Sequence, residues 1–357
     1  MVCESPRIGL TCQHIMTRKH RTKRILQILF ITVSIGSLAF VPWILVKAAL
    51  TPLPNTVQEQ MEQSVSNGFD GFIVYVDQAG KSPVSYAVGL HNSENNIPAR
   101  PNALFKIASI GKLYQAVCIA KLVHDKRLSL DKSLAEYFPE LAGRIENAES
   151  ITLKMMVQHR SGIPNYSNTP NFWSNPTKST QASLDLILDK PASFAPGEGY
   201  EYSNTNYLLI GELIDKVLGY SGMEYIKEQI LTPLELNNTF GSLAEVDLDH
   251  VMSGYNVGAD GDLKPQEFGM LATAEDVGIF LRALNDGSLF KEGEQDIYSS
   301  IYEYEHTGWV PGYQSIAAYD KEMDTVVIMF SNTNGGYNWD LFEIARRRIF
   351  KILRRSE

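Results

Sequence analysis

Cysteines are scarce in this chain, and several motifs of hydrolytic enzymes are missing. Three cysteines occur in 357 residues, Cys3, Cys12 and Cys118, which is too few for a disulfide framework. The seven histidines are scattered and no His-Glu-x-x-His pair is present, so we expect no metal site and no cofactor. A Gly-x-Ser-x-Gly elbow, the usual setting of a nucleophilic serine in α/β-hydrolases, is also absent.

The chain as a whole carries no excess of positive charge. The formal net charge is −9, whereas a nucleic-acid-binding domain presents a basic surface. We therefore expect no nucleic-acid partner. The exception is residues 1–24, which contain six Lys or Arg residues and one acid, Glu4.

Residues 25–46 contain no charged residue. An apolar run of this length can cross a bilayer as a helix, and the basic residues before it predict that residues 1–24 stay in the cytoplasm while everything after Lys47 lies outside. A cleaved signal peptide is the alternative, because Val46-Lys47-Ala48 resembles a cleavage site. The run is longer than the apolar part of most signal peptides, which favours a retained single-pass membrane anchor.

Strand patterns occur near both ends of the segment that follows. Residues 47–56 carry two prolines and are predicted to form a linker. Short runs rich in apolar and β-branched residues then predict a hairpin over residues 72–77 and 83–88, with a turn at Gly80, and two more strands over residues 315–319 and 325–331. The two ends of the segment are therefore expected to share one sheet.

Between these strands the apolar residues recur with helical spacing, for example in residues 206–218 and 273–284. Strands from both termini with helices between them predict an α/β layer with a helical insertion. The predicted domain is residues 57–357, with residues 57–103 and 300–357 in the α/β part and residues 104–299 in the helical part.

One apolar stretch, LFKIASIGKLYQAV at residues 104–117, places a serine and a lysine three residues apart. In a helix, Ser109 and Lys112 would project from the same face within hydrogen-bonding range. Their apolar neighbours would desolvate Lys112 and favour its neutral, basic form. A second pair, Ser129 and Lys132, lies in a polar stretch, so the spacing alone does not identify a nucleophile.

Two further motifs lie at the edges of the predicted helical part. Tyr202-Ser203-Asn204 places a phenol and an amide two residues apart, so both can point into one cleft from an extended or loop segment. His306-Thr307-Gly308, just before a predicted strand, offers a cationic or hydrogen-bonding side chain and a glycine that lets the backbone approach a ligand. Each motif is weak alone, but their order along the chain indicates one common site.

These three motifs, in this order, resemble the penicillin-recognising serine hydrolases, in particular the branch of class C β-lactamases, D,D-peptidases and esterases. Supporting similarity runs through VQHRSGIPNY (157–166), FAPGEGYEYSNTNYLLIGELI (194–214) and LATAEDVGIFLRAL (271–284). The resemblance implies a β-lactamase-like α/β fold, an antiparallel sheet flanked by helices with a mainly helical inserted domain. In this chain one predicted N-terminal transmembrane helix precedes it.

The resemblance also implies roles for individual residues. Ser109 would attack a carbonyl carbon to form an acyl-enzyme, with Lys112 and Tyr202 sharing the proton transfers. It leaves open which of the two is the base. Asn204 would orient Lys112 and the substrate amide, and the backbone N–H groups of Ser109 and Trp309 would hold the oxyanion.

The segment from His306 to Trp309 is implied to bind and orient the substrate, and it departs twice from the commoner family pattern. His306 stands where a lysine is usual, which resembles the His-Thr-Gly D,D-carboxypeptidases and some esterases. Thr307 and Gly308 keep the pattern. Trp309 lacks the hydroxyl that often holds a substrate carboxylate, so a neutral amide or ester would suit this site as well.

Together with the predicted anchor, the resemblance implies a membrane-anchored, extracytoplasmic serine hydrolase. Its substrates would be acyl groups of the cell envelope, either D-Ala-D-Ala peptides of peptidoglycan or D-alanyl esters of the teichoic-acid type. Two alternatives stay open: a β-lactamase, and a non-catalytic sensor that binds penicillin or peptidoglycan. The sequence does not predict an oligomeric state.

Overall fold

The computed structural model describes residues 23–24, 26–30, 32–33 and 36–355. The described residues up to Thr51 form one compact unit, and the chain from Pro52 forms a second. In the first unit, the described residues up to Ser37 are helical, a 3-10 turn covers Leu38–Phe40, and helix α1 covers Trp43–Leu50. The predicted linker over residues 47–56 is therefore helical in its first four residues.

No helix in the described part of the chain is both long and apolar enough to cross a membrane. The predicted span over residues 25–46 includes four residues outside the described part, Ile25, Ile31, Ser34 and Ile35. Residues 1–22 of the predicted cytoplasmic segment also lie outside it. The membrane anchor and its orientation therefore stay predictions.

The second unit contains ten α-helices and eleven strands among its described residues. In chain order they are α2 (Val57–Ser66), β1 (Gly71–Gln78), β2 (Val84–Asn92), β3 (Ile97–Pro98), β4 (Phe105–Lys106), α3 (Gly111–His124), α4 (Leu134–Tyr137), α5 (Leu153–Val157), α6 (Thr180–Asp185), α7 (Asn204–Leu218), α8 (Gly222–Ile226), β5 (Thr239–Phe240), β6 (Tyr255–Asn256), β7 (Leu271–Ala272), α9 (Ala274–Asp286), α10 (Glu294–Ser299), β8 (His306–Val310), β9 (Tyr313–Asp320), β10 (Thr325–Ser331), β11 (Thr333–Asn334) and α11 (Asn338–Arg355). A π-helical turn, Lys227–Leu231, directly follows α8.

A six-stranded sheet with the strand order β3-β2-β1-β10-β9-β8 forms the centre of this unit. Every neighbouring pair in it is antiparallel. Strands from the two ends of the chain meet where β1 pairs with β10, as the strand patterns predicted. The edge strand β8 contacts the 3-10 turn Ala108–Ile110, so one border of the sheet faces the predicted nucleophile.

Helices cover both faces of the sheet, and β1 shows why. On one face, Phe72 packs against Phe342 of α11 with ring centroids 5.3 Å apart. Tyr75 points to the other face, where it lies so close to Gly278 of α9 that any Cβ there would overlap its ring. A strand that is buried on both faces has apolar residues in a continuous run, and the sequence of β1 shows this pattern.

The region predicted to be helical also contains short strands that the periodicity does not reveal. The two-residue strands β4, β7 and β5 form a small antiparallel sheet of their own. Two-residue strands are too short to show an alternating pattern, so only their pairing partners across the chain identify them. One of them, β4, leads directly into the candidate site.

Candidate active site

Ser109 lies in a 3-10 turn, Ala108–Ile110, directly before helix α3. The sequence predicts one helix from Leu104 onward, and this prediction is wrong for the residues before the turn. Phe105 and Lys106 pair with β7 instead, and Ala108 has a left-handed backbone with φ of 52°. A non-glycine residue in that region is strained, so strand pairing and the sharp turn, rather than helix propensity, position the serine.

The structure brings four of the predicted site residues together around one oxygen atom. Lys112 Nζ lies 3.1 Å from Ser109 Oγ, and the Tyr202 hydroxyl donates a hydrogen bond of 2.8 Å to the same atom. Lys112 Nζ also donates to Asn204 Oδ1 at 2.9 Å. The Ser109 hydroxyl therefore contacts both an amine and a phenol.

Lys112 is buried without a carboxylate partner among the described residues. Burial lowers the pKa of its ammonium group to about 7, because loss of water disfavours the charged form. Its Nζ lies 5.0 Å from the ring centroid of Tyr202 and 5.4 Å from that of Tyr207. At neutral pH much of the Lys112 population is therefore an uncharged amine that can accept a proton.

The Tyr202 phenol, unlike the Lys112 amine, has a pKa well above neutral pH. Burial raises the pKa of its phenol to about 12, so the hydroxyl is protonated at neutral pH. His159 packs against its ring at a centroid distance of 4.4 Å. The Nδ1 atom of His159 accepts the backbone N–H of Ser203 at 3.1 Å, and burial lowers the pKa of this histidine to about 3.

His159 is a neighbour of the candidate site that the sequence does not reveal. Its position after α5 indicates a structural residue at a helix end, and its φ of 56° agrees with that interpretation. The contact with Tyr202 arises across 43 residues, from 159 to 202, and no local spacing rule connects the two. The neutral imidazole therefore both ends a helix and supports the phenol.

Asn204 is the first residue of helix α7 and is held by three polar contacts. Its Nδ2 donates to Ser167 Oγ at 2.9 Å and its backbone N–H donates to Asn165 Oδ1 at 3.1 Å. The side-chain oxygen faces Lys112 as described above. The implied role of orienting Lys112 thus matches the geometry, while its amide nitrogen already has a protein acceptor.

The His306-Thr307-Gly308 motif forms the first three residues of β8, whereas the sequence predicts that it precedes a strand. Burial and the nearby Lys112 lower the pKa of His306 to about 4, so its ring is neutral at pH 7 rather than cationic. His306 Nδ1 contacts the carbonyl oxygen of Thr307. Its ring lies 6.4 Å from that of Tyr202 and makes no hydrogen bond to Ser109.

Gly308 is the point at which β8 meets the nucleophile turn. A Cβ atom there would overlap Ser315 Oγ and the carbonyl oxygen of Ile107, so only glycine permits this approach. Thr307 is exposed, and Trp309 is 38% exposed. Because β8 is an edge strand, part of its backbone hydrogen-bonding capacity is not used by β9.

The second Ser-x-x-Lys pair has none of these contacts. Lys132 Nζ lies over the ring of Tyr137, 4.8 Å from its centroid. Ser129 is bonded to the Tyr137 hydroxyl through its backbone N–H and C=O. Among the described residues no group of three His, Cys, Asp or Glu side chains could hold a metal ion. The candidate site is therefore centred on Ser109.

A family model described as Beta-lactamase matches residues 53–300 of this chain. The chain belongs to the beta-lactamase family. This match confirms the resemblance to serine hydrolases that the three motifs indicate, and it covers the segment that carries Ser109, Lys112, Tyr202 and Asn204. The helices and antiparallel sheet of the second unit are the α/β fold of this family.

The chain is also similar to curated proteins over most of its length. Protein flp of Staphylococcus aureus (strain MW2) is 24% identical over 269 residues, covering 71% of this chain and 53% of that protein. The chain thus spans about half the length of the curated relatives it matches.

Two solved structures show the similarity of the fold. The D-amino acid amidase from Ochrobactrum anthropi SV3, complexed with L-phenylalanine amide, has a TM-score of 0.75 at 22% identity, covering 85% of this chain and 99% of that one. A class C beta lactamase has a TM-score of 0.65 at 18% identity, covering 83% and 97%.

Proposed function

We propose that this chain is an acyl-transfer hydrolase in which Ser109 forms a covalent acyl-enzyme. One observation carries the proposal: Ser109 Oγ lies 3.1 Å from Lys112 Nζ and 2.8 Å from the Tyr202 hydroxyl. A serine needs a base within hydrogen-bonding reach to become a nucleophile. The buried Lys112, with its pKa lowered to about 7, can serve as that base at neutral pH.

Lys112 rather than Tyr202 is the base in this proposal, because the Tyr202 phenol has a pKa raised to about 12 and keeps its proton. Lys112 takes the hydroxyl proton of Ser109 while Oγ bonds to the substrate carbonyl carbon. The resulting oxyanion is held by the backbone N–H groups of Ser109 and Trp309.

The leaving atom departs with the electron pair of its bond to carbon. The Tyr202 hydroxyl donates its proton to this leaving atom. The proton that Lys112 accepted then passes to the Tyr202 oxygen. Water then attacks the acyl carbon, Ser109 recovers its proton, and the acid product is released. The sum of the two stages is hydrolysis of one amide or ester bond.

The proposed substrates are D-Ala-D-Ala peptides or D-alanyl esters of the cell envelope. A structural neighbour named D-amino acid amidase supports D-aminoacyl substrates. Residues 25–46 would anchor the protein in the membrane with its N-terminus in the cytoplasm, since six basic residues precede an uncharged run. The hydrolase unit would then lie outside the membrane, next to those substrates.

Covalent labelling tests the nucleophile. The full-length protein in detergent is incubated with a fluorescent penicillin, alongside Ser109→Ala. We expect labelling of the wild type and none of Ser109→Ala. Labelling of both proteins, or of neither, would contradict the proposal.

Hydrolysis of a D-Ala-D-Ala peptide, a D-alanyl ester and nitrocefin by the same protein then separates the candidate activities. We expect turnover of the peptide or the ester to exceed that of nitrocefin. Faster turnover of nitrocefin would favour a β-lactamase. Labelling without turnover of any of the three would favour a sensor.

A further inference from the structure

Two of the cavities that border the candidate site differ in the residues that line them. One, of about 300 Å³, is lined by Ser109, Lys112 and Asn204 but not by Tyr202. The other, of about 320 Å³, is lined by Tyr202 and His306 but not by Ser109. Because the proposed function makes Tyr202 the proton donor to the leaving group, the leaving group belongs on the Tyr202 side and the acyl group in the first cavity.

Aromatic side chains form the walls of the first cavity, which we call the aromatic cavity. Trp173 is the central ring: it meets Trp309 edge to face at 5.5 Å, Phe172 at 5.1 Å and Phe268 at 6.3 Å. Tyr166 extends the series through Phe172, at 5.2 Å. Walls of this kind favour an apolar group, and they also attract cations through the faces of the rings.

The aromatic cavity has one acidic side chain, Glu267, and one basic side chain, Lys112. Lys112 is engaged with Ser109 and Asn204. One carboxylate oxygen of Glu267 accepts the backbone N–H of Leu243 at 3.1 Å. Within the described residues, Glu267 has no ion-pair partner, and it is exposed.

Lys106 is the neighbouring cation that interacts with Glu267 through space. Its ammonium group is buried and donates to the backbone carbonyls of residues 263, 264 and 266. It therefore does not neutralise Glu267 by direct contact. Among the described residues, the second carboxylate oxygen of Glu267 has no hydrogen-bond partner, and Glu267 lines the aromatic cavity.

We propose that the aromatic cavity binds the acyl part of the substrate, and that Glu267 selects acyl groups that carry a protonated amine. This inference rests on the proposed function and narrows its substrate class. A D-aminoacyl ester or amide has a free ammonium group next to the scissile carbonyl. In a D-Ala-D-Ala peptide or a penicillin the corresponding nitrogen is acylated and uncharged. The structure thus favours aminoacyl substrates over peptides.

A matched pair of substrates tests the selection. D-phenylalanine p-nitroanilide and its N-acetyl derivative differ only at the amine, which is protonated in the first and acylated and uncharged in the second. For the full-length protein, Glu267→Gln should lower kcat/KM for the free-amine substrate by about 10- to 100-fold, the factor for one charge-assisted hydrogen bond. The N-acetyl substrate should change less than about twofold, because it offers Glu267 no charge.

Glu322→Gln, which removes a carboxylate that is 86% exposed, is the matched control and should change neither rate. Equal losses for both substrates in Glu267→Gln, or no loss for either, would overturn the proposal. Labelling of each variant by fluorescent penicillin shows separately whether Ser109 is still reactive. If the proposed function is wrong, the wild type is not labelled. If only the role of Glu267 is wrong, the wild type is labelled but Glu267→Gln does not change the preference for the free-amine substrate.

A binding measurement gives the same answer without turnover. Tryptophan fluorescence of Ser109→Ala is titrated with 2-phenylethylammonium and with the neutral 2-phenylethanol. We expect the cation to bind at least about tenfold more tightly, and the preference to disappear when Glu267→Gln is added. Equal binding of the two probes, or no binding of either, would contradict the assignment whatever the activity of the enzyme.

Discussion

Lys106 and Lys112 lie on either side of the nucleophile and share the same electrostatic state. Both are buried, 0% and 8% exposed respectively, and burial lowers the pKa of each to about 7. Their contacts differ. Lys106 donates to the backbone carbonyls of residues 263, 264 and 266, whereas Lys112 donates to Ser109 and Asn204.

The difference shows that a lowered lysine pKa does not by itself identify a base. Carbonyl oxygens have no proton to give, so Lys106 can only hold them in place. Residues 263–266 lead directly to Glu267 and Phe268, and Lys106 thereby ties one wall of the aromatic cavity to the strand before Ser109. Lys112 instead touches a hydroxyl group, which can lose its proton to a neutral amine.

The largest expected effect separates the two lysines by activity. Lys112→Met should lower kcat/KM by about 10³-fold, since it removes a general base. Lys106→Met should retain activity within about tenfold of wild type, because it touches no reacting atom. Rates with a p-nitroanilide or ester substrate measure both, with Lys132→Met of the second Ser-x-x-Lys pair as an unchanged control. Equal losses in the first two variants would remove the distinction.

The pH dependence of activity gives the next largest effect. Lys112 must be neutral to act as a base, so activity is lost as the pH falls through its pKa of about 7. At pH 5 about one molecule in a hundred has the neutral amine, and kcat/KM should be about 100-fold below its plateau. Lys106→Met should show the same fall in kcat/KM below pH 7. A flat profile between pH 5 and pH 8 in the wild type would contradict the role of Lys112.

The smallest effect concerns stability, where the two lysines should behave alike. Their folded pKa values, about 7, lie below the ordinary value of 10.5, so the unfolded chain binds more protons above pH 7 and the free energy of unfolding rises with pH. Each lysine adds up to about 1.4 kcal/mol per pH unit between pH 7 and pH 9. Urea unfolding of either Lys→Met variant should show the slope reduced by this amount. An unchanged slope in Lys106→Met would show that its ammonium is not desolvated.

The local geometry of the candidate site could be predicted from spacing. Residues three apart in a helical turn share a face, and Ser109 and Lys112 are in contact as expected. The start of the helix could not be predicted, because Phe105 pairs with Ala272 across 167 residues. The same spacing occurs at Ser129 and Lys132, which lie in a turn rather than in a helix, so the spacing alone does not separate the two pairs.

The aromatic cavity could not be predicted at all, apart from Trp309. Trp173 and Phe268 lie far from Trp309 in the sequence and follow no repeating pattern. Tertiary packing alone brings the three rings within contact distance. Glu267, between a glutamine and a phenylalanine, shows no signal in the sequence either.

The amino-acid sequence alone determined the order of the three motifs, the sheet shared by both ends of the second unit, and the serine–lysine spacing, because these depend on residues close together or on simple periodicity. Only the tertiary structure decided that His306 is neutral, with a pKa lowered to about 4, and that Trp173, Glu267 and Phe268 line one cavity with Ser109. Both outcomes depend on desolvation and on partners from distant parts of the chain, and a local pattern contains neither.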